Sequence, residues 1–480
     1  MGDERERERL RRSPSPGAIV AALAIGGLTS SFMQTIIIPI QYELPTLLDA
    51  PRSDTAWVVT ITLLTAAVTT PIAGRLGDMF GKRRIALAVL AIMVVGCVVA
   101  ATSHDIVGMI IGRGLQGVGM GILPLGISIM RDVLPERRLG SGIALMSATM
   151  GIGGAIGLPL AAFAAEQWDY HALFWIAGAI GLLSLLLILA IVPVSVLRSL
   201  GRFDWVGAIG LAIGIVGILL ALSSGGEWGW LSPPTLGVGL GGVAVLLLWG
   251  WYELRDRNPL VDLRVAARRP VLLANLSSLL LSFGLFSFNI GIPQFLENPV
   301  ASQAGLGLSL MEASLGLLPF GFTILLVSPI AGRLMGVVGP KPLMVAGGVL
   351  VAIAYVVCLL WLHTLWSAMV VNVIAAAGIG AAFAAAPSAI MRAVPMTETA
   401  AANGINSLMR SVGTTLAAAM IGVVLSAITV QVGDVMVPSW DAFQLAFVLG
   451  LVAALASSLL AAFIPRHRPC PAGEHPSLPA

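Results

Sequence analysis

Two sets of residues in this 480-residue chain are placed to do more than pack. The first is a run of glycines and charges. Gly74, Gly77, Asp78 and Gly81 lead directly into the basic cluster Lys82, Arg83 and Arg84. Glycines remove side chains where two helices must approach closely. An aspartate beside a basic cluster can form charge-assisted hydrogen bonds. That chemistry suits a latch. The plainer alternative is a cluster that merely orients the chain, but Asp78 and Gly81 would then need no fixed spacing. The second set is a pair of charges inside apolar stretches, Arg113 and Arg410. Such a charge costs at least about 2.5 kcal/mol in a bilayer. Each should therefore face an interior and find a partner. Gln116 or backbone carbonyls suit Arg113. Asn403, Asn406 or an anionic ligand suits Arg410.

Nothing like a catalytic centre accompanies them. Cys97 and Cys358 lie in apolar stretches and Cys470 lies near the chain end. With no CxxC pair, neither a metal site nor a disulfide is expected. The five histidines fall at span ends or near the carboxyl terminus and read as interfacial or solvated. There is no HExxH, no Walker A and no large loop. An enzyme, a sensor and a transport ATPase are therefore not expected, nor is a nucleic-acid partner or a bound cofactor.

The elements that position these residues follow from composition. The chain is 57% hydrophobic and 11% charged, with mean hydropathy +0.95. Soluble domains carry roughly 25% charged residues. The apolar residues come in blocks near 20 residues, enough to cross a hydrocarbon core about 30 Å thick. They must cross as helices, since every backbone polar group needs a partner in lipid. The short alternating segments of a barrel are absent. Windowed hydropathy predicts about fourteen spans, at 17–40, 55–74, 84–103, 106–130, 139–163, 172–196, 203–223, 234–252, 270–296, 309–331, 342–362, 365–391, 404–428 and 443–464. The breaks within 84–130 and 342–391 are the hardest to place.

The basic residues test that count. With loops numbered alternately inside and outside, only Arg52 falls outside, while Arg113 and Arg410 fall within spans. A missed span would scramble this positive-inside pattern. It predicts a multi-pass protein of the bacterial cytoplasmic membrane with both termini inside. The scarcity of lysine beside abundant arginine, alanine and glycine points to a GC-rich bacterial genome. Exterior loops carry acids and tryptophans such as Trp168, Trp228 and Trp440, which suit an interfacial belt. The expected organisation is a cytoplasmic tail (1–16), a six-helix bundle (17–196), two inserted helices (203–252), a basic cytoplasmic loop (253–269), a second six-helix bundle (270–464) and a tail (465–480).

A weak repeat supports the division. The segments 74–84 and 332–342 both begin Gly-Arg-Leu and both follow a Pro-Ile-Ala phrase. Parallel repeats of this kind mark transporters.

The segment 74–84 resembles motif A of the major facilitator superfamily, with Met79 standing where a base is usual. The residues Arg113, Gln116, Gly117 and Gly119 resemble motif B. Gly153, Gly157 and Pro159 partly match motif C, the antiporter motif, although the Gly-Pro step is displaced and Ala161 and Ala162 replace the closing glycines. With about fourteen spans, the chain resembles the drug:proton antiporter family of the EmrB/QacA type over roughly 17–464.

The resemblance implies an all-α integral membrane fold of two six-helix bundles plus two inserted helices. It implies a monomeric secondary transporter that exports small amphipathic or drug-like molecules, driven by the proton gradient through alternating access. A symporter for uptake of a small metabolite is the alternative. Motif A, Gly74 to Arg84, implies a gate. Motif C implies tight sealing of the fifth span; generic small-residue packing is the plainer reading. Arg113, Gln116 and Gly117 are implied in coupling, beside a proton-carrying carboxylate. The family's usual first-span aspartate is missing here: Met33 or Gln34 stands in its place. No predicted span has a central acid, so either Glu43, just past the first span, carries the proton or coupling uses another group; Asp54 and Glu312 lie at other span ends. A midplane cavity would be lined by Gln34, Trp57, Met120, Met146, Phe286, Asn289, Gln294, Phe320 and Arg410. Methionine adapts to varied ligands, although each Met or Phe is more often plain packing.

Overall fold

The computed structural model describes residues 15–37, 40, 44–167, 169–194, 199, 201–256, 259–433 and 435–465. Thirteen helices among them are long and apolar enough to cross a bilayer. The helix Glu136–Gln167, 32 residues long, runs between the fourth and sixth of the series and makes fourteen. In order, the first six are Pro16–Thr35, Arg52–Phe80, Lys82–Thr102, Ile106–Val133, Glu136–Gln167 and His171–Ile191. Then come the seventh and eighth, Trp205–Trp228 and Pro233–Glu253, followed by Arg269–Glu297, Leu310–Val338, Pro340–Trp361, Leu365–Met391, Thr399–Ala427 and Trp440–Ala462.

Local chemistry sets the breaks that hydropathy blurs. Between the third and fourth spans, Asp105 caps the new helix by accepting from the Gly108 N–H at 2.7 Å. Between the eleventh and twelfth, Thr364 and Ser367 form a reciprocal cap. Two features add to the plain succession of helices. The fourth span contains a 3-10 turn at Gly119–Gly121. A short antiparallel hairpin, Thr429–Val432 with Val435–Pro438, joins the last two spans. Its strands are rich in β-branched residues, which favour extended backbone, and Gly433 supplies the positive φ of 60° for the turn.

The first six helices pack mainly on one another, and so do the last six. The groups meet along two seams. The second span lies against the thirteenth, and the fifth against the tenth. Glycine makes each approach possible at the end where the basic residues gather, called here the basic end. A Cβ on Gly74 would come 2.5 Å from the Ala400 carbonyl oxygen, and one on Gly404 would come 2.9 Å from Pro71 Cα. On the other seam, a Cβ on Gly140 would come 2.7 Å from the Gly332 carbonyl oxygen. The sequence repeat is therefore a geometric repeat: Gly74 and Gly332 hold matching places. So do Gly81 (φ 107°) and Gly339 (φ 81°), each turning one span into the next.

The seventh and eighth spans pack on each other through glycine, with a Cβ on Gly217 falling 2.9 Å from Gly242 Cα. The seventh also leans on both the second and the thirteenth. The eighth is peripheral, with apolar side chains such as Leu240, Leu247 and Leu248 exposed, as a lipid-facing helix requires.

Filling the fifth–tenth seam should loosen the basic end. The variant Gly332→Val should destabilise the closed arrangement by about 1–3 kcal/mol. A lowered thermal midpoint and raised accessibility of the basic-end seam to thiol reagents, read from an introduced cysteine, would show it. An unchanged midpoint would contradict the packing described.

Candidate functional site

The seam at the second span is held by charge as well as shape. Asp78 lies in the last turn of the second span and is 1% exposed. Its carboxylate accepts from the backbone N–H of Ala401 at 2.8 Å and of Ala400 at 3.3 Å. These are free amides of the first turn of the thirteenth span, where the helix dipole favours an anion. Lys82 is equally buried. Its ammonium donates to both oxygens of Asp132, each at 2.8 Å, and to Thr399 Oγ at 3.1 Å. It lies 3.7 Å from Asp78. Thr399 also hydrogen-bonds Ser128. One cation thus sits between two carboxylates and the start of a helix from the other group.

The remaining residues of the segment divide the labour. A Cβ on Gly77 would strike Leu125, so Gly77 serves packing within the first group rather than the seam. Arg83 donates to the Leu189 carbonyl at 2.5 Å, tying the third span to the sixth. Arg84 is exposed and Arg75 is nearly buried. The matching segment at 332–342 has no such ion network: Gly336 stands where Asp78 would, with open space beside it.

Arg113 is 1% exposed and makes three hydrogen bonds. Nε donates to the Val58 carbonyl at 3.1 Å, and Nη1 donates to the Met33 carbonyl at 2.9 Å and to Gln116 Oε1 at 2.8 Å. It therefore joins the first, second and fourth spans through backbone carbonyls. Gln116 in turn donates to the Gly96 carbonyl at 3.4 Å. Gly117 lets the fourth span reach the second, since a Cβ there would come 2.5 Å from the Thr62 carbonyl oxygen. Gly153 and Gly157 face Ser31, Phe32 and Thr35 of the first span. Pro159 lies within the fifth helix, but its side chain falls outside the described set. Glu43 lies outside the described residues altogether. Of the other acids at span ends, Glu312 caps its own helix by accepting from the Ser309 N–H at 2.9 Å. Asp54 is exposed in the first turn of the second span.

The expected cavity residues are joined in pairs or packed apart. Gln34 donates to Met120 Sδ at 3.4 Å. Met146 is fully buried, its methyl lying between Gly27 of the first span and Gly126 of the fourth. Trp57 packs against the cluster around the seventh span. Phe286 packs on Phe283, Ala417 and Ala453, and Phe320 stacks on Phe288. Asn289 and Gln294 are exposed.

Arg410 meets an aromatic ring. Its guanidinium lies 3.6 Å over the Phe383 ring. The Asn406 amide donates instead to Asn275 and Ser278, each at 3.0 Å, and the Asn403 amide donates to the Thr399 carbonyl at 2.8 Å. The flat guanidinium prefers the aromatic face, and the asparagines are drawn to polar groups nearer to hand.

Sequence reading missed Asp132, Ser128 and Thr399. Asp132 had a signal, as an acid beside Arg131 at a span end. The amides of Ala400 and Ala401 had none, because a backbone donor has no residue type.

A two-bundle helical membrane protein with a charged latch across its seam is a carrier by architecture, built for its halves to rock. The sequence profile described as Major Facilitator Superfamily matches residues 23–299 and 274–478, and the chain belongs to that family. It is 27% identical to the multidrug resistance protein Stp of Mycobacterium tuberculosis over 375 residues, covering 77% of this chain and 68% of Stp. It is 28% identical to the lincomycin resistance protein LmrB of Listeria monocytogenes over 342 residues, 71% of each chain. Two solved structures share the fold. The human organic anion transporter MFSD10 gives a TM-score of 0.67 at 14% identity over 94% of this chain and 100% of its own. The proton:xylose symporter XylE gives 0.65 at 15% identity over 94% and 96%.

Removing the latch charge should shift the equilibrium between closed and open basic ends. In Asp78→Asn one amide acceptor and the ionic component are lost, worth about 1.5–3 kcal/mol. Spin labels on the basic ends of the second and thirteenth spans should report a longer distance population that the wild type lacks. Identical distance distributions would contradict the latch.

Proposed function

We propose that this protein is an exporter of drug-like or antibiotic molecules in the bacterial cytoplasmic membrane, with the basic end facing the cytoplasm. The observation that carries the reading is the buried Asp78–Lys82–Asp132 network set on the N-terminus of a helix from the opposite half. A seam sealed by charge can open when the charges are disturbed, which alternating access requires. Membership of the family and the resistance proteins among its relatives support the substrate class we assign, small and amphipathic. The positive-inside distribution supports both termini lying in the cytoplasm. The proton gradient is the energy source we assign, with the protein acting as a monomer and without a bound cofactor.

Arg113 enters this mechanism as a fixed structural charge. Its three acceptors come from two neighbouring spans and its own helix, so it helps the first half move as one body. Glu43 remains our candidate proton carrier, and Glu43→Gln should abolish the response of transport to a pH gradient. Full gradient-driven transport by that variant would exclude it.

The test of export is a resistance and accumulation screen in a pump-deficient bacterial host. Expression should lower the steady-state content of at least one amphipathic antibiotic several-fold, and a protonophore should erase the difference. Concentrative uptake of a small metabolite in the same cells would favour the symporter alternative. Asp78→Asn should insert normally and lose most of the export.

A further inference from the structure

The basic end of the inserted pair carries a buried group that the export reading does not use. Asp204 precedes the seventh span and Glu253 closes the eighth; they are 8% and 2% exposed. Asp204 Oδ1 accepts from the Gly207 N–H at 2.8 Å. Asp204 Oδ2 and both oxygens of Glu253 have no hydrogen-bond partner. The two carboxyls occupy one space: a Cβ on Gly207 would strike Asp204 Oδ2 and lie 2.5 Å from Glu253 Oε1. The Tyr252 hydroxyl stands 3.2 Å from both Asp204 Oδ1 and Asp256 Oδ2.

Hydrogen counting constrains this cluster. A phenol has one hydrogen and can donate to only one of two carboxylates. Otherwise it shares that hydrogen weakly between the two, each 3.2 Å away. Glu253 faces the amides of Leu260 and Val261, whose N–H dipoles favour a carboxylate there, although neither closes a bond of full geometry. The neighbouring charges are engaged elsewhere. The Arg255 guanidinium lies 3.9 Å over the Trp251 ring. Arg264 donates to the Leu254 carbonyl at 3.2 Å. Asp262 accepts from the amides of Arg264 and Val265. Arg75 lines a cleft of about 200 Å³ together with Leu260, Val261 and Asp262, and Arg257 is outside the described residues. No group of three His, Cys, Asp or Glu among the described residues is arranged to hold a metal ion. Burying two carboxylates side by side disfavours ionising both at once.

We propose that Asp204 and Glu253 form a proton-binding carboxyl pair that holds the loop after the inserted hairpin against the seam between the two halves. The loop residues Leu260 and Val261 are buried in a cluster with Leu64 of the second span, Leu211 of the seventh and Leu408 of the thirteenth. The same loop walls the cleft beside Ala401 and Glu398 at the latch. The insert therefore bridges the two helices that must part when the basic end opens. With one proton shared, the pair is neutral enough to stay buried. Loss of that proton places two anions in a dry site, and the hairpin end lifts from the seam. The proton is regulatory and resident, distinct from any proton carried with substrate.

Infrared difference spectroscopy on the purified full-length protein in lipid nanodiscs tests this without measuring transport, so its failure and that of the export reading are separable. The wild type should show a protonated-carboxyl C=O band at neutral pH that fades on alkaline titration and is lost in Glu253→Gln. The thermal midpoint of the wild type should fall as pH rises above the ordinary glutamate range, roughly 4.3, because proton binding favours the folded state. Glu253→Gln should lose the part of that slope due to the pair. Absence of the band at neutral pH, or an unchanged band and slope in Glu253→Gln, would overturn the proposal. If Glu253→Gln does not fold, loss of the same band in Asp204→Asn decides for the pair and its persistence decides against.

Discussion

The closed basic end depends on one buried carboxylate seated on the start of a helix from the other half. An anion placed there satisfies two amides that would otherwise be orphaned. It does so only if the helix backbones come close enough, and Gly74 and Gly404 provide that approach. The lysine that neutralises the aspartate is shared with Asp132 and Thr399, so its position is over-determined. Burial strengthens each of these attractions and raises the penalty for leaving any partner unpaired. Such a seam has two good states, fully assembled or fully parted and hydrated, with little between.

The two seams are not equivalent, although the chain repeats itself. At the fifth–tenth seam Gly332 and Gly140 give the same close backbone approach, but Gly336 stands in place of Asp78. That seam is held by shape, and the second–thirteenth seam by shape and charge. Shape complementarity responds weakly to pH or ligand charge, whereas a charge network responds strongly. The pseudo-symmetric frame therefore confines electrical sensitivity to one side. The inserted pair leans on that side, with the seventh span touching both the second and the thirteenth.

Much of this was legible in the sequence because membrane segments obey few rules. The basic residues supported the count of crossings, and glycine spacing around Asp78 marked the place where a charge network spans the seam. Legibility failed where identity and direction part company. Met146 reads as a flexible cavity residue, yet it fills the gap left by Gly27 and Gly126. Its helix is apolar on every side, so no periodicity shows which face meets a neighbour. Arg410 reads as a partner for the nearest asparagines, but aromatic faces compete for guanidinium and Phe383 comes from a distant segment. The 3-10 turn at Gly119–Gly121 hides in a run where every residue also suits an α-helix. Nothing in the residue types of Asp204 and Glu253 marks them, because only folding brings them to the same space beside Gly207.

The placement of charge across the described spans has a mechanical consequence. Arg113 is fully enclosed and bonded to carbonyls on two other spans, so moving any one of the three helices alone would strip a buried cation of acceptors. A cost of several kcal/mol ties the first, second and fourth spans into one body. Gly153 and Gly157 seat the side chains of Ser31, Phe32 and Thr35 and so pack the fifth span onto the first. Arg83 ties the third to the sixth. Motion is thereby driven out of the bundle and into the seams, where contacts are backbone to backbone and a single ion network decides which state is held.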